Sequence, residues 1–367
     1  PVAVGLLIVS TFFLFVFDGP RSLQALPELF YGDLNSFALL SIPMFIIMGS
    51  AIASTRAGPD LYEALERWLT RVPAAGGTLG ILIPPSVTMI VYGIATETSI
   101  GRLFLAGVLP GLLLVTLFIA WAIFDTWRRG AAGVALSGVR YTWAQRLEIL
   151  PRVVPFLLII AGVLYALYGG IATPSETAAV GALLCIVVAV VVYRMFRFNA
   201  LWAVLRDSTR ESVMILFIIG AAGVFSFMLS SLFVTQSIAG WIADLDVNRW
   251  VLMGIINLFL LVAGFFLPPV AVILMSAPIL LPIILAAGFD PYWFAVIVTI
   301  NMEIGLITPP VGLNLYVINS IAPDISLRKI LAGSLPFVLS MVVAIIILSA
   351  FPGIVTWLPD IVMGPEL

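Results

Sequence analysis

The stretch Gly305-Leu-Ile-Thr-Pro309-Pro310 interrupts an apolar segment of this 367-residue chain, and Gly80-Ile-Leu-Ile-Pro84-Pro85 has a similar pattern 225 residues earlier. Proline lacks a backbone N–H and glycine leaves helical geometry easily, so each stretch predicts a break in a helix. Carbonyls upstream of such a break lose their partners, which is costly in lipid. Each break is therefore expected to be buried in protein or to line a cavity.

Further matches surround the two breaks and indicate an internal duplication. The pattern Arg-x-x-Leu-Ala-Gly-x-Leu-Pro occurs at Arg102–Pro110 and at Arg328–Pro336, whereas residues 45–55 resemble residues 225–235 at an offset of only 180. Two copies of a unit with broken helices are typical of secondary transporters, and two kinked structural helices are the alternative. The first copy is expected to be about 45 residues short near residues 71–76. The extra residues of the second copy predict a hairpin with Pro268-Pro269 at its tip.

The composition indicates that lipid is the solvent. Hydrophobic residues make up 62% of the chain and charged residues 10%, and the mean hydropathy is +1.20. Soluble domains are about half apolar and a quarter charged. Together with this composition, a net charge of −2 and one cysteine exclude disordered chains, nucleic-acid binders and disulfide scaffolds. The absence of histidine removes His-ligated metals, haem and Ser-His-Asp chemistry.

Apolar segments of about 20 residues are the expected length of membrane-spanning helices. Such segments lie at 2–17, 37–54, 103–124, 152–169, 176–193, 213–233, 250–268, 270–287 and 331–350, with interrupted ones at 76–96 and 292–322. These patterns predict about ten crossings, several of them re-entrant. Residues 56–71 predict an interfacial amphipathic helix, with an ordinary solvated helix as the alternative.

Arginines gather in two loops, one at 125–152 and one after Tyr193 that includes Arg206 and Arg210. Two predicted helices separate these loops, so both lie on one side of the membrane. The positive-inside rule predicts that this side is cytoplasmic.

The fold class predicted from these patterns is an all-α polytopic membrane protein with two inverted repeats, broken helices and re-entrant hairpins. The chain begins with Pro rather than Met, so its start is expected to be truncated. Five parts are predicted: an N-terminal scaffold helix (1–36), transport repeat 1 (37–124), scaffold helices with arginine-rich loops (125–212), transport repeat 2 (213–350) and a C-terminal tail (351–367).

Several stretches resemble the DctM-like family, the large membrane subunit of tripartite ATP-independent periplasmic (TRAP) transporters. They lie at residues 76–86, 96–104, 172–178, 278–282 and 301–316. The resemblance implies an elevator-type Na⁺ symporter of the bacterial inner membrane that imports small carboxylates, such as C4-dicarboxylates or sugar acids like sialic acid. It also implies two partners, a small membrane subunit and a periplasmic substrate-binding protein. Na⁺ would be the coupling ion, with no other metal or cofactor.

The resemblance also implies site residues, none of them catalytic. The first Na⁺ site would use backbone carbonyls of Gly80, Ile83 and Pro85, and the second would use Gly305, Thr308 and Pro310. Candidates for lining the substrate cavity are Ser86, Glu97, Glu303 and Asn314. The first copy departs from the family because it lacks the Ser/Gly/Thr-rich hairpin tip that completes one ion site, and omission of these residues from the sequence is the favoured interpretation.

Carboxylates in apolar surroundings are functional candidates in a membrane protein. Glu97 follows the first break, where cavity lining and structural capping are equally plausible. Glu303 could carry a proton, assist the cation or remain neutral and hydrogen-bonded. Glu176 follows Thr173-Pro174-Ser175 and predicts the start of a helix.

Two other functions remain as alternatives. The nearer one is a stand-alone Na⁺/dicarboxylate elevator symporter that needs no binding protein. The distant one is a membrane-embedded enzyme, which would need clustered Asp, His or Arg side chains facing a cavity. The absence of a Walker A motif favours transport driven by an ion gradient.

Overall fold

The computed structural model describes residues 2–57, 60, 63–64, 86–129, 142–244, 248–321 and 325–364. Within these ranges the chain forms helices and no strands. The first group is α1 (Val2–Phe17), α2 (Leu26–Leu34) and α3 (Ser41–Ala53), with short 3₁₀ helices at Ser22–Ala25 and Phe37–Leu40. All three α-helices pack on α9 (Phe198–Ser231). The predicted helix at 56–71 lies mostly outside the described residues.

In the described ranges, the middle of the chain forms five helices, of which one is long and two form an adjacent pair. It comprises α4 (Val87–Ala95), α5 (Ile100–Arg129), α6 (Trp143–Glu148), α7 (Leu150–Tyr168) and α8 (Pro174–Val191). The predicted helix start at Thr173 is confirmed, because the Glu176 N–H donates to Thr173 Oγ1 and the Thr173 N–H donates to Glu176 Oε2 at 2.8 Å. Helix α8 packs on α3 and α7.

The last third of the chain surrounds one buried helix. It comprises α10 (Val234–Asp244), α11 (Arg249–Phe266), α12 (Pro269–Ala286), α13 (Pro291–Leu306), α14 (Leu313–Ile321), α15 (Leu327–Ala350) and α16 (Gly353–Met363). Every residue of α13 from Tyr292 to Gly305 is buried. Helix α13 packs on α4, α5, α11, α12, α15 and α16, so it lies at the centre of this part of the protein.

Within the described residues, fewer helices are long enough to span a membrane than the sequence predicts, and part of the predicted segment 76–96 lies outside those residues. Seven helices of the described ranges are long and apolar enough to cross a membrane, and an eighth span is possible if Ser22–Leu34 and Phe37–Ala53, bent by 56°, count as one. Three further apolar helices in the described ranges, α1, α13 and α16, have only 10–17 residues. The prediction of about ten crossings included short segments such as 2–17 and allowed several crossings to be re-entrant.

Two segments differ from their predicted form. Arg206 and Arg210 lie in α9 rather than in a loop, because no glycine or proline interrupts residues 198–219. The predicted C-terminal tail contains α16, whose Asp360 accepts a hydrogen bond from the buried guanidinium of Arg102 in α5. The same guanidinium lies 5.5 Å from the centre of the Tyr292 ring in α13.

Candidate functional site

The interruption predicted at Pro309-Pro310 separates α13 from α14. Because prolines at positions 309 and 310 lack N–H groups, the carbonyls of Gly305 and Leu306 lose the donors that a continuous helix would supply. The Thr308 N–H donates to the Gly305 carbonyl oxygen at 3.3 Å instead, and Thr308 Oγ1 donates to the Ile304 carbonyl oxygen at 2.6 Å. Thr308 therefore ends α13 with both its backbone and its side chain.

The turn around Thr308 leaves two backbone oxygens without a helical hydrogen bond. Among the described residues, no backbone N–H donates to the carbonyl of Leu306 or Ile307. Gly312, at a φ of +56°, returns the chain to helical geometry, and its carbonyl accepts the Leu315 N–H at 2.8 Å. Carbonyl oxygens of an unwound helix are the donor type that coordinates Na⁺ in transporters with discontinuous helices.

A helical hairpin closes over the end of α13. Helices α11 and α12 are joined by Leu267 and Pro268 alone, and α11 packs along α13. A Cβ atom built on Gly305 would lie 2.7 Å from the carbonyl carbon and oxygen of Gly264 in α11. Glycine at position 305 thus allows the two backbones to touch, which places the closed end of the hairpin against the turn containing Thr308.

An asparagine pair joins the same two helices further along. Asn301 Nδ2 donates to Asn257 Oδ1 and, at 3.2 Å, to the Ile297 carbonyl oxygen, while Asn257 Nδ2 donates to the Met253 carbonyl oxygen at 2.8 Å. Asn301 is buried and Asn257 is half-buried. The sequence analysis did not predict this hydrogen-bonded pair. A signal for it existed, because Asn257 is a polar residue within a predicted membrane span.

We expect the asparagine pair to hold the hairpin on α13. Replacing either residue with alanine leaves the other amide with a missing partner, and interhelical hydrogen bonds in membranes contribute about 1 kcal/mol. A double-mutant cycle of Asn257→Ala and Asn301→Ala, measured by denaturant unfolding in detergent, should give a coupling energy of about that size. Strictly additive single-variant effects would show that the two amides do not interact.

Glu303 lies on a different side of α13 from the asparagine pair. The two positions Asn301 and Glu303 are two residues apart, which is about 200° around a helix. The Glu303 side chain is buried, and its Oε1 atom has no hydrogen-bond partner among the described residues. The structure therefore places a buried carboxylate one turn before the interruption, away from the α11 interface.

The other predicted cavity residues are spread over the site. Ser86 begins α4, where its Oγ accepts the Met89 N–H at 3.4 Å, and Asn314 lies half-buried in the first turn of α14. Pro310 is exposed. The predicted ligands of the first Na⁺ site, Gly80, Ile83 and Pro85, lie outside the described residues.

Glu97, a predicted cavity residue, does not lie near the interruption at Thr308. It is exposed, at a φ of +54°, in the turn between α4 and α5. In the same turn, the Ser99 N–H donates to the hydroxyl of Tyr292 at the start of α13. Tyr292 and Thr308 are separated by about 24 Å along the helix axis. Glu97 therefore lies near the opposite end of α13.

Comparisons with known proteins agree on one family. The sequence model of the tripartite ATP-independent periplasmic transporter, DctM component, matches residues 70–354. The C4-dicarboxylate TRAP transporter large permease protein DctM of Pseudomonas aeruginosa is 39% identical over 284 residues, which are 77% of this chain and 65% of that protein. The chain thus spans slightly less than two thirds of the length of this relative.

A second relative matches nearly the whole chain. The sialic acid TRAP transporter large permease protein SiaM of Vibrio cholerae is 27% identical over 414 aligned positions, which cover 99% of this chain and 96% of that protein. The alignment is longer than the chain, so several dozen positions of SiaM have no counterpart here. This comparison does not locate the missing positions, and the shortfall near residues 71–76 stays a prediction.

The fold also matches a solved transporter. The YdaH transporter of Alcanivorax borkumensis superposes with a TM-score of 0.61 over 96% of this chain and 97% of that chain, at 14% sequence identity. This likeness supports the helical transporter fold alone. Because the family model covers most of its length, the chain belongs to the DctM family, the DctM component of tripartite ATP-independent periplasmic transporters.

Proposed function

We propose that the chain is the large subunit of a Na⁺-coupled importer of small carboxylates in the bacterial inner membrane. The observation that carries this proposal is the interrupted helix α13–α14 beneath the closed end of the hairpin. The carbonyls of Leu306 and Ile307 and the hydroxyl of Thr308 are oxygen donors grouped within one turn. No continuous helix would offer such a group, because its carbonyls are used internally.

The second predicted Na⁺ site is the one that the described residues cover. The Thr308 hydroxyl donates its hydrogen to the Ile304 carbonyl, which orients its oxygen lone pairs away from that carbonyl. Carbonyl oxygens of Gly305 and Pro310 would complete the ligand set proposed with Thr308. Hard oxygen donors without a charged partner suit a monovalent cation, which is the coupling ion proposed here.

Carboxylate substrates and soluble delivery are proposed from the relatives. The two relatives are named for C4-dicarboxylate and for sialic acid, and both kinds of molecule carry a carboxylate. Membership in a tripartite family supports a small membrane subunit and a periplasmic binding protein as partners. The enzyme alternative has less support, because the relatives are permeases.

An elevator movement is the proposed mechanism. The hairpin and α13 touch backbone to backbone at Gly264 and Gly305, so they would move as one body. Helices α7 and α8 pack on each other within the segment predicted as scaffold (125–212) and would remain there. By the positive-inside rule, the arginines near the ends of α7 and α9 support a cytoplasmic location for that side of the scaffold.

The test is whether Na⁺ stabilises the purified protein specifically. A bound ion at 100 times its dissociation constant stabilises the folded state by about 2.7 kcal/mol, so Na⁺ should raise the melting temperature by several degrees. The same concentration of K⁺ should not raise the melting temperature. Thr308→Val should abolish the Na⁺ effect, because it removes a ligand oxygen while keeping the side-chain shape.

Thr299→Val is the matched control for this test. Thr299 lies within α13, is buried, and donates its hydroxyl hydrogen to the Ala295 carbonyl at 2.8 Å, as Thr308 does to Ile304 just past the end of that helix. This variant should keep the full Na⁺ effect. Equal stabilisation by Na⁺ and K⁺, or an equal loss in both variants, would contradict the ion site.

Dependence on partners needs a separate measurement. Proteoliposomes containing this chain should take up a labelled dicarboxylate or sialic acid only when the small membrane subunit and the binding protein are both added. Uptake by the chain alone would instead support the stand-alone symporter.

A further inference from the structure

The two arms of the hairpin enclose a large apolar cavity. Its volume is about 750 Å³. The walls come from α11 and α12, and Phe225 of α9 and Trp241 of α10 complete them. Apart from Arg249 and Ser276, every lining residue is apolar. This cavity is distinct from the oxygen-lined turn at Thr308, which belongs to α13 and α14.

The cavity is elongated along the hairpin. At one end it reaches Arg249 and Ala287, the residues at the open ends of the two arms, and at the other it reaches Leu267 beside the closed end. The 18 residues of α11 correspond to about 27 Å, close to the hydrocarbon thickness of a bilayer. The cavity therefore follows the direction in which lipid tails lie.

One positive charge lies at the open end. Arg249 is the first residue of α11, is exposed, and holds its guanidinium 5.4 Å from the centre of the Trp250 ring and 5.7 Å from that of Phe289. Tryptophans such as Trp241 and Trp250 are enriched at membrane–water interfaces. The guanidinium is thus expected at headgroup level, where it can form paired hydrogen bonds with a phosphate.

We propose that the cavity binds one acyl chain of an anionic phospholipid whose phosphate contacts Arg249. The apolar walls match a hydrocarbon tail, and the guanidinium of Arg249 at the mouth matches a phosphate. A transmembrane helix of a partner does not match, because a helix is about 10–12 Å wide with its side chains and would overfill this volume. The proposal requires only that the chain spans a membrane, and it does not depend on Na⁺ coupling.

The experiment measures which lipids remain with the purified chain. The protein is reconstituted in nanodiscs of equal phosphatidylglycerol and phosphatidylethanolamine, extracted in mild detergent and analysed by native mass spectrometry. One retained phosphatidylglycerol per chain is expected. Arg249→Ala should reduce its retention about fivefold, since a basic residue near a membrane surface contributes about that factor toward an anionic lipid. Retention of phosphatidylethanolamine should not change.

A cavity-filling variant tests the acyl chain independently of charge. Met275→Trp adds bulk on the wall supplied by α12 and should remove the retained phosphatidylglycerol. Two variants are the matched controls and should retain phosphatidylglycerol. Leu285→Trp adds the same bulk on the exposed face of α12, and Arg21→Ala removes an exposed arginine that is distant in sequence from Arg249. Ala263→Phe fills the cavity from α11 and replaces Met275→Trp if that variant fails to fold.

Two results would overturn the proposal. The first is equal phosphatidylglycerol retention in wild type, Arg249→Ala and a folded cavity-filling variant. The second is efficient disulfide cross-linking of Phe259→Cys, on the cavity wall, to a cysteine in a second membrane chain, which would mean that protein occupies the space.

Discussion

A valine at position 305 is expected to lower the free energy of unfolding by about 3 kcal/mol, at the upper end of the usual range for overpacking. The added Cβ atom would lie 2.7 Å from backbone atoms of Gly264, and backbone atoms cannot turn aside as a flexible side chain can. Helices α11 and α13 would have to separate. The separation would also stretch the hydrogen bond between Asn257 and Asn301, so the hairpin would lose two contacts at once.

Unfolding of Gly305→Val in detergent, followed by helical circular dichroism against denaturant, measures this effect. Gly254→Ala is the matched control, because Gly254 lies in α11 with nothing within 4 Å of an added Cβ. Removing a glycine from a helix interior stabilises it by about 0.5–1 kcal/mol, so the control should change stability in the opposite direction. A Gly305 variant as stable as the wild type would refute the backbone contact.

Removing the Trp293 side chain should have the largest effect of any single truncation considered. Trp293 is 1% exposed, and its Nε1 donates to the Leu348 carbonyl oxygen at 2.8 Å. Its ring stacks on Phe289 at 5.2 Å and meets Trp250 edge-on at 6.4 Å. Trp293→Ala should cost about 3–5 kcal/mol, the usual range for a buried aromatic.

The same unfolding assay separates packing from hydrogen bonding at this position. Trp293→Phe keeps a ring but loses the bond to Leu348, so it should cost much less than the alanine variant. Trp357→Ala, at a tryptophan that is 57% exposed in α16, should change stability by less than about 0.5 kcal/mol. A similar loss for Trp357→Ala and Trp293→Ala would contradict the proposed role of burial.

Local chemistry made part of the site predictable. The end of α13 could be placed because Pro309 and Pro310 remove donors within one turn, whatever the rest of the protein does. The start of α8 could be placed for a similar reason, since Thr173 and Glu176 satisfy each other's N–H groups across three residues. The hairpin at Pro268 followed from two apolar segments too closely spaced for a loop.

Contacts between distant residues could not be predicted in the same way. Gly264 meets Gly305, and Asn257 meets Asn301, only because α11 lies along α13 in a particular register. Hydropathy reports which segments prefer lipid but carries no information about which helices become neighbours. The bond between Arg102 and Asp360 joins residues 258 positions apart and had no sequence signal.

Hydropathy also misjudged where helices end. It placed the span of α9 at 213–233, because Arg206, Asp207 and Arg210 are too polar for lipid. Arginine is nevertheless a good helix former, and α9 begins at Phe198. Polar residues mark where the membrane-spanning part of a helix ends, but the helix itself can continue beyond them.

The length of α9 limits where the protein can bend. Its 34 residues run for about 51 Å without interruption, with α1, α2 and α3 packed on it as well as α12. The first break in this rod is the connection at Leu232 and Phe233, where Phe233 has a φ of +56°. A bend between α9 and α10 would therefore be concentrated at these two residues, and stiffening them should limit that bend without touching any ligand.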